Sequence, residues 1–123
     1  MFAADMLKGR VAFITGGAGG IGLEIATRYG RLGATVVLAS RNQERLDSAA
    51  SALAGEGISV AAMRADVRNY EELKTAINNT ADRFGSLDIL VNNAAGNFYC
   101  PTAGLSPNGW GTVIDIDLNG TFY

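Results

Sequence analysis

A chain of 123 residues, 48% hydrophobic and 18% charged, is long enough for one domain with a buried core and too apolar for a disordered segment. Its net charge of −2 gives no electrostatic reason to expect nucleic acid as a partner. No apolar run reaches membrane-spanning length, and residues 1–10 lack the apolar middle of a secretion signal. One cysteine, Cys100, excludes an internal disulfide and fits a reducing compartment; the absence of histidine removes histidine triads and histidine metal sites, and no other metal-ligand spacing stands in for them.

Residues 1–7 read as a short packing arm. Val11-Ala12-Phe13-Ile14 is an apolar run that predicts a buried strand. The glycine-rich stretch 15–22 follows, and then a helix whose Ile21, Ile25, Tyr29 and Leu32 share a face and which Gly33 ends. Residues 35–39 predict a second strand. Residues 42–53 predict a helix with Leu46, Ala49, Ala50 and Leu53 on one side. Residues 59–64 predict a third strand. Tyr70, Leu73, Ile77, Ala81 and Phe84 mark a helix closed by Gly85, and residues 87–91 a fourth strand. A loop over 96–105 precedes Ser106-Pro107, a helix cap and first helical position, and the last helix runs to the end. Strands alternating with helices predict an α/β fold: a doubly wound, Rossmann-like parallel sheet of at least four strands in the order 3-2-1-4. The strands are apolar on both faces, as a sheet covered by helices on each side requires. A long apolar edge strand is a hazard. The chain is therefore expected to be the N-terminal portion of one larger domain rather than a unit covered by a partner.

A strand, a glycine turn and a helix start, in that order, suit a diphosphate. Gly16, Gly17, Gly19, Gly20 and Gly22, with Ile21 among them, let the backbone turn tightly and let a ligand approach, while the helix N-terminus offers unpaired N–H groups. The spacing parses either as G-x-G-x-x-G from Gly17 or as Gly16-x-x-x-Gly20-x-Gly22. The competing reading is a tight turn that only packs helix on sheet. Ser40 and Arg41 stand 18 and 19 positions beyond Gly22, where such folds meet the adenosine ribose. A hydroxyl and a guanidinium there, in place of a carboxylate, favour NADP(H) over NAD(H), because Arg41 can grip a phosphate through two nitrogens; otherwise Arg41 is a solvated charge. Asp66-Val67 ends the third strand at the expected adenine position, with Asp66 either accepting the exocyclic amine or capping the next helix. Arg68 faces the same rim. Asn92-Asn93-Ala94-Ala95-Gly96 follows the fourth strand, with asparagines to tie strands together and small residues to leave room for a flat ligand. In the last helix Trp110, Val113, Ile114, Asp117, Leu118 and Thr121 share one face, so Asp117 interrupts an apolar stripe. A buried carboxylate needs a partner or a role; the alternative is a structural aspartate bonded to backbone or solvent.

Residues 15–22, Asp66-Val67 and 92–96, in this order and at these intervals, resemble the cofactor motifs of the short-chain dehydrogenase/reductase family across essentially the whole chain. A narrower resemblance is carried by 95–98, Pro101, 105–108 and 115–117, together with 11–17 and 39–41. These are similar to the 2,4-dienoyl-CoA reductases, and the Asp at 117, where the wider family has Asn, matches the peroxisomal type. The resemblance implies NADPH-dependent reduction of a dienoyl-CoA thioester in fatty acid β-oxidation. By the same resemblance Gly16 to Gly22, Ser40, Arg41, Asp66, Val67 and Asn93 to Gly96 hold the cofactor. Arg68, Phe98, Ser106, Pro107 and Asn108 meet the acyl-CoA, and Asp117 positions a proton-donating water with a downstream lysine. Phe98 has an alternative as an ordinary loop anchor. The resemblance further implies a homo-oligomer, tetramer or dimer, and a peroxisomal address in a eukaryote or the cytoplasm in a bacterium, not secretion. No lysine follows Asp117 in these residues, so they are not expected to turn over alone. Two other readings share the cofactor motifs: a short-chain reductase of a ketone or 3-oxoacyl thioester, and a non-catalytic nucleotide-binding module.

Overall fold

The computed structural model of the chain describes residues 2–123. Strand and helix alternate as the sequence predicts: β1 (Val11–Thr15), α1 (Gly20–Arg31), β2 (Thr35–Ser40), α2 (Gln43–Gly55), β3 (Val60–Arg64), α3 (Tyr70–Phe84) and β4 (Ile89–Val91). A 3-10 turn at Thr102–Gly104 and helix α4 (Pro107–Ile114) follow. The strands are all parallel, in the order β3-β2-β1-β4.

The double-sided burial of the sheet explains its continuous apolar runs. Ala12, Ile14, Val36 and Leu38 point to the side where α1 and α2 bring Ala26, Leu46, Ala49 and Leu53. The intervening Val11, Phe13, Val37 and Ala39 point to the other, where α3 brings Leu73 and Ala76. Phe13, Ile14, Val36, Val37, Leu38 and Leu46 are fully buried; side chains of this size contribute roughly 1.5–3 kcal/mol each when withdrawn from water. Asn42, Asn69 and Ser106 cap α2, α3 and α4 with their side chains, and Gly85, at φ 82°, closes α3. Met1 lies outside the described residues. Of the expected N-terminal arm, Leu7 packs on the α1/α2 side of the core while Phe2 and Met6 are exposed.

Two elements depart from expectation. β4 is shorter than 87–91 because at Asp88 a side chain replaces the ladder: the Asp88 N–H still donates to the Val11 carbonyl at 2.9 Å, but the Val11 N–H goes to the Asp88 carboxylate at 2.8 Å instead of a backbone carbonyl. The last helix does not keep one face. After Ile114 it widens into a π-helical turn, Asp115–Asn119, before Gly120–Phe122 resumes α geometry. The contacts it makes inward come from Gly109, against Phe98 and Leu105, from Ile116, against Gly96, and from Gly120, against Val67. Trp110, Leu118 and Asp117 are exposed. The expected apolar stripe through Trp110 and Leu118 therefore does not face the core. An apolar count overlooks glycines that allow close approach, and a wide turn shifts the helical phase.

Candidate functional site

A cleft of about 370 Å³ opens at the carboxyl ends of the strands, at the point where the order reverses between β1 and β4. Open parallel sheets bind ligands at such points. Its floor is the turn between β1 and α1. Gly16 takes φ 66° and Gly20 φ 54°, conformations that side chains rarely adopt. A Cβ on Gly16 would lie 2.8 Å from Asn93 Nδ2, and one on Gly22 would run into the Gly16 carbonyl oxygen. The turn thus needs glycine at 16, 20 and 22, the second of the two parses. Gly17 is tight for another reason, since a Cβ there would sit 2.9 Å from the Ile14 carbonyl oxygen. Among helices α1–α4, α1 alone lacks a side-chain cap. Its first-turn N–H groups are left for a ligand, with the positive end of the helix dipole behind them.

One wall of the cleft is tied to this turn by Thr15 and Asn93. The Thr15 hydroxyl accepts from the N–H groups of Asn93 and Ala94, each at 3.0 Å, and Asn93 Nδ2 donates to the carbonyls of Thr15 at 3.0 Å and Gly16 at 3.3 Å. Asn93, Ala94, Ala95 and Gly96 line the cleft beyond this lock, joined by Ile116 from the last helix. Gly96 admits Ile116 because a Cβ would come within 2.7 Å of its Cδ1.

The opposite wall comes from the ends of β2 and β3. Ser40, Arg41, Asp66, Val67 and Arg68 all line the cleft. Arg41 makes no hydrogen bond or ion pair among the described residues. Asp66 is different. Its carboxylate accepts Arg68 Nε on both oxygens, at 2.9 and 3.1 Å, and the Arg68 backbone N–H at 3.0 Å. The Arg68 guanidinium therefore holds the Asp66 carboxyl below the usual carboxylate range, and Asp66 in turn raises Arg68. Asp66 is not the cap of α3; Asn69 is. The Asp66 backbone is held by Glu72, whose carboxylate accepts its N–H at 2.9 Å.

The sequence-assigned substrate residues lie apart from these walls, except Arg68. Phe98 is half exposed and packs against Gly109 in the first turn of α4. The Ser106 hydroxyl is engaged as a cap, accepting from the Gly109 N–H at 3.0 Å. Pro107 opens α4, and the Asn108 carbonyl accepts from the Thr112 hydroxyl. Asp117 reaches the cleft through the backbone: one carboxylate oxygen accepts the Gly96 N–H at 2.9 Å. It is an exposed carboxylate with a backbone partner, not a buried one, which corrects the expectation drawn from the helical projection. Among the described residues no group of side chains could hold a metal ion, and no helix is long and apolar enough to cross a membrane. The sequence reading includes Thr15 and Ile116 in its motifs 15–22 and 115–117 but gives neither a role of its own. A threonine ending a buried strand beside glycine, with an asparagine at the matching end of another strand, was the available signal for the first.

Comparison with known proteins bears on what this cleft serves. The family model described as short chain dehydrogenase matches residues 10–123. The peroxisomal 2,4-dienoyl-CoA reductase, (3E)-enoyl-CoA-producing, of Arabidopsis thaliana is 47% identical over 121 residues, covering 98% of this chain and 41% of that protein. Its Danio rerio namesake is 46% identical over 123 residues, covering 99% and 41%. The chain thus spans less than half the length of these relatives. A short chain dehydrogenase from Bacillus anthracis superposes with a TM-score of 0.90 at 44% identity, covering 95% of this chain and 48% of that one. An F189W actinorhodin polyketide ketoreductase with NADPH superposes at 0.89 with 35% identity, covering 92% and 43%. With its parallel strands in the order 3-2-1-4 and its glycine turn at the switch point, the chain belongs to the short-chain dehydrogenase/reductase family.

Proposed function

We propose that this chain is the cofactor-binding portion of an NADP(H)-dependent reductase acting on a dienoyl-CoA thioester. The observation that carries the cofactor reading is Arg41: a guanidinium with the Asp66 carboxylate in its field but in no ion pair or hydrogen bond among the described residues, beside the Ser40 hydroxyl, on the wall of a cleft floored by uncapped helix N–H groups. These groups fit a dinucleotide bearing an extra ribose phosphate. The turn from Gly16 to Gly22 would hold the diphosphate, Ser40 and Arg41 the 2′-phosphate, Asp66 and Val67 the adenine, and Asn93 to Gly96 the neighbouring ribose and ring. Because Arg68 occupies the Asp66 carboxylate, the paired Asp66–Arg68 unit meets the adenine rather than a free acid. When bound, the cofactor supplies a two-electron hydride equivalent to the conjugated substrate.

The chain's own residues then position and protonate. Asp117 has one oxygen on the Gly96 N–H, and its second oxygen can orient the water that protonates the substrate carbon. Phe98 and the α4 start at Ser106, Pro107 and Asn108 shape the mouth for the acyl group, and Arg68 offers its outer N–H groups to CoA phosphates. The substrate class is supported by the names of the relatives and by the Asp at 117. Those names also support a peroxisomal compartment in a eukaryote, with the cytoplasm its bacterial counterpart. A homo-oligomer, tetramer or dimer, is part of the same proposal.

A ketone or 3-oxoacyl thioester reductase is the second reading, favoured by the likeness to the NADPH-bound polyketide ketoreductase. A non-catalytic nucleotide-binding module is the third, and it would be favoured by a full-length protein without a lysine downstream of Asp117. Following NADPH oxidation by the full-length protein with a 2,4-dienoyl-CoA and with a 3-oxoacyl-CoA separates them. Turnover of the dienoyl ester alone is the expected result; turnover of only the 3-oxo ester, or of neither, overturns the proposal.

A further inference from the structure

We propose that Asn119 is a positioning residue for Asp117: its side-chain bond to Asp115 staples the wide turn of the last helix in the shape that sets Asp117 on Gly96. This rests on the role proposed above for Asp117 and adds the device that holds that carboxylate in place. The turn, Asp115–Asn119, touches both walls of the cleft. On the β4 side Ile116 packs on Gly96, and Asp117 accepts the Gly96 N–H at 2.9 Å. On the β3 side Gly120, directly after the turn, is buried against Val67, so closely that a Cβ on it would lie 3.0 Å from Val67 Cβ. The Asp115 carboxylate adds to the field that raises the Arg68 guanidinium.

Wide turns of this kind are rare, and they concentrate where a helix serves a site. Here the Gly120 N–H reaches back to the Asp115 carbonyl. A continuous α-helix would take it to Ile116 instead. Relaxation to α geometry would rotate Asp117 relative to Gly120, which Val67 holds, and so draw its carboxylate off the Gly96 N–H. One side-chain pair closes across the turn from its last residue to its first: Asn119 Nδ2 donates to Asp115 Oδ1 at 2.8 Å. The Thr121 hydroxyl steadies the same stretch by donating to the Asp117 carbonyl at 3.0 Å.

In an unbroken helix an asparagine and an aspartate four residues apart add little to stability. Across this turn the same bond decides between two helical phases, and only one of them points Asp117 at Gly96. The effect of the pair therefore falls on chemistry more than on folding. Neither Asp115 nor Asn119 lines the cleft, so Asn119 acts through Asp117 and contacts no ligand itself.

The test is turnover of a 2,4-dienoyl-CoA by the full-length protein in H2O and in D2O, with NADPH binding measured alongside. Asn119→Ala is expected to lower kcat about tenfold, the scale of a slightly misplaced group, with NADPH affinity within about twofold. Because the water that protonates carbon is then poorly held, proton delivery limits the rate and the solvent isotope effect on kcat is expected to rise. A merely weakened fold lowers the amount of active protein and leaves that isotope effect where it was. The exchange of the pair, Asp115→Asn with Asn119→Asp, keeps a donor facing an acceptor across the turn and is expected to restore most of kcat. An Asn119→Ala protein with unchanged kcat, with lowered kcat but an unchanged solvent isotope effect, or with NADPH affinity falling in step with kcat overturns the proposal. Should Asn119→Ala fail to fold, the exchanged pair decides, and a kcat that it does not restore overturns the proposal. If Asp117→Ala loses turnover while Asn119→Ala keeps it, the role of Asp117 stands without Asn119. If Asp117→Ala turns over normally, or the wild type reduces no dienoyl-CoA, both fall.

Discussion

The glycine end of the sheet and the last helix are built on opposite terms. At the glycine end, β1 and β2 are buried on both faces, and Thr15 and Asn93 join the ends of β1 and β4 through five hydrogen bonds. In the last helix, within these residues, attachment comes from the contacts of Gly109, Ile116 and Gly120, the Asp117 bond to Gly96 and the Tyr123 ring set edge-on to Tyr70 of α3 at 5.7 Å, while Trp110, Leu118 and Phe122 are largely exposed. The difference teaches which part of the site the first hundred residues determine by themselves. The proposed nucleotide pocket is shaped by a turn that needs glycine at 16, 20 and 22. The groups proposed to meet the substrate stand on a segment with several exposed apolar side chains.

If this contrast is right, a change in the last helix alters chemistry and leaves cofactor binding intact, whereas a change at the glycine end alters binding and stability. Asp117→Ala in the full-length protein should lower turnover about a thousandfold, as loss of a positioned proton donor does, with NADPH affinity within about twofold in a fluorescence titration. Unchanged turnover would remove Asp117 from the mechanism. Arg41→Asp should weaken NADPH about a hundredfold and NADH only a few-fold, because a phosphate contact becomes a repulsion; equal loss for both would sink the phosphate assignment. Asn93→Ala should cost about 2 kcal/mol in denaturant unfolding, since it leaves the Thr15 and Gly16 carbonyls without their side-chain donor. A loss well under 1 kcal/mol would mean that the lock between β1 and β4 is redundant.

The smallest effect concerns the Asp66–Arg68 pair. Its lowered carboxyl stabilises the fold above the ordinary carboxylate range, and that contribution is lost as pH falls through the lowered value. Because solvent reaches the Arg68 guanidinium and screens the pair, Arg68→Met should cost less at neutral pH than any change above. The cost should shrink as the pH of the unfolding measurements is taken below about 4. A cost that stays constant down to pH 3 would contradict the ion-pair account.

Much of the architecture was legible because local and global signals agree. Apolar runs at 11–14 and 35–39 become strands buried on both faces, and Asn42, Asn69, Ser106 and Gly85 mark helix ends by chemistry that a sequence displays directly. The lining of the cleft by Gly16, Ser40, Arg41, Asp66, Val67 and Asn93 to Gly96 follows from strand ends, which the spacing locates well. What sequence reading missed depends on contacts between distant segments. The inward face of the last helix is set by Gly109 and Gly120, which carry no apolar signal. The closing of Arg68 onto Asp66 depends on a turn geometry that two adjacent charges do not announce.

The Asp88 carboxylate has a consequence for how a ligand gains entry. It fastens β4 to the first residue of β1 at the bottom of their shared seam, as Thr15 and Asn93 fasten the top. A seam riveted at both ends cannot splay. The proposed dinucleotide would then enter past the span between Gly96 and Leu105, whose backbone pairs with no strand.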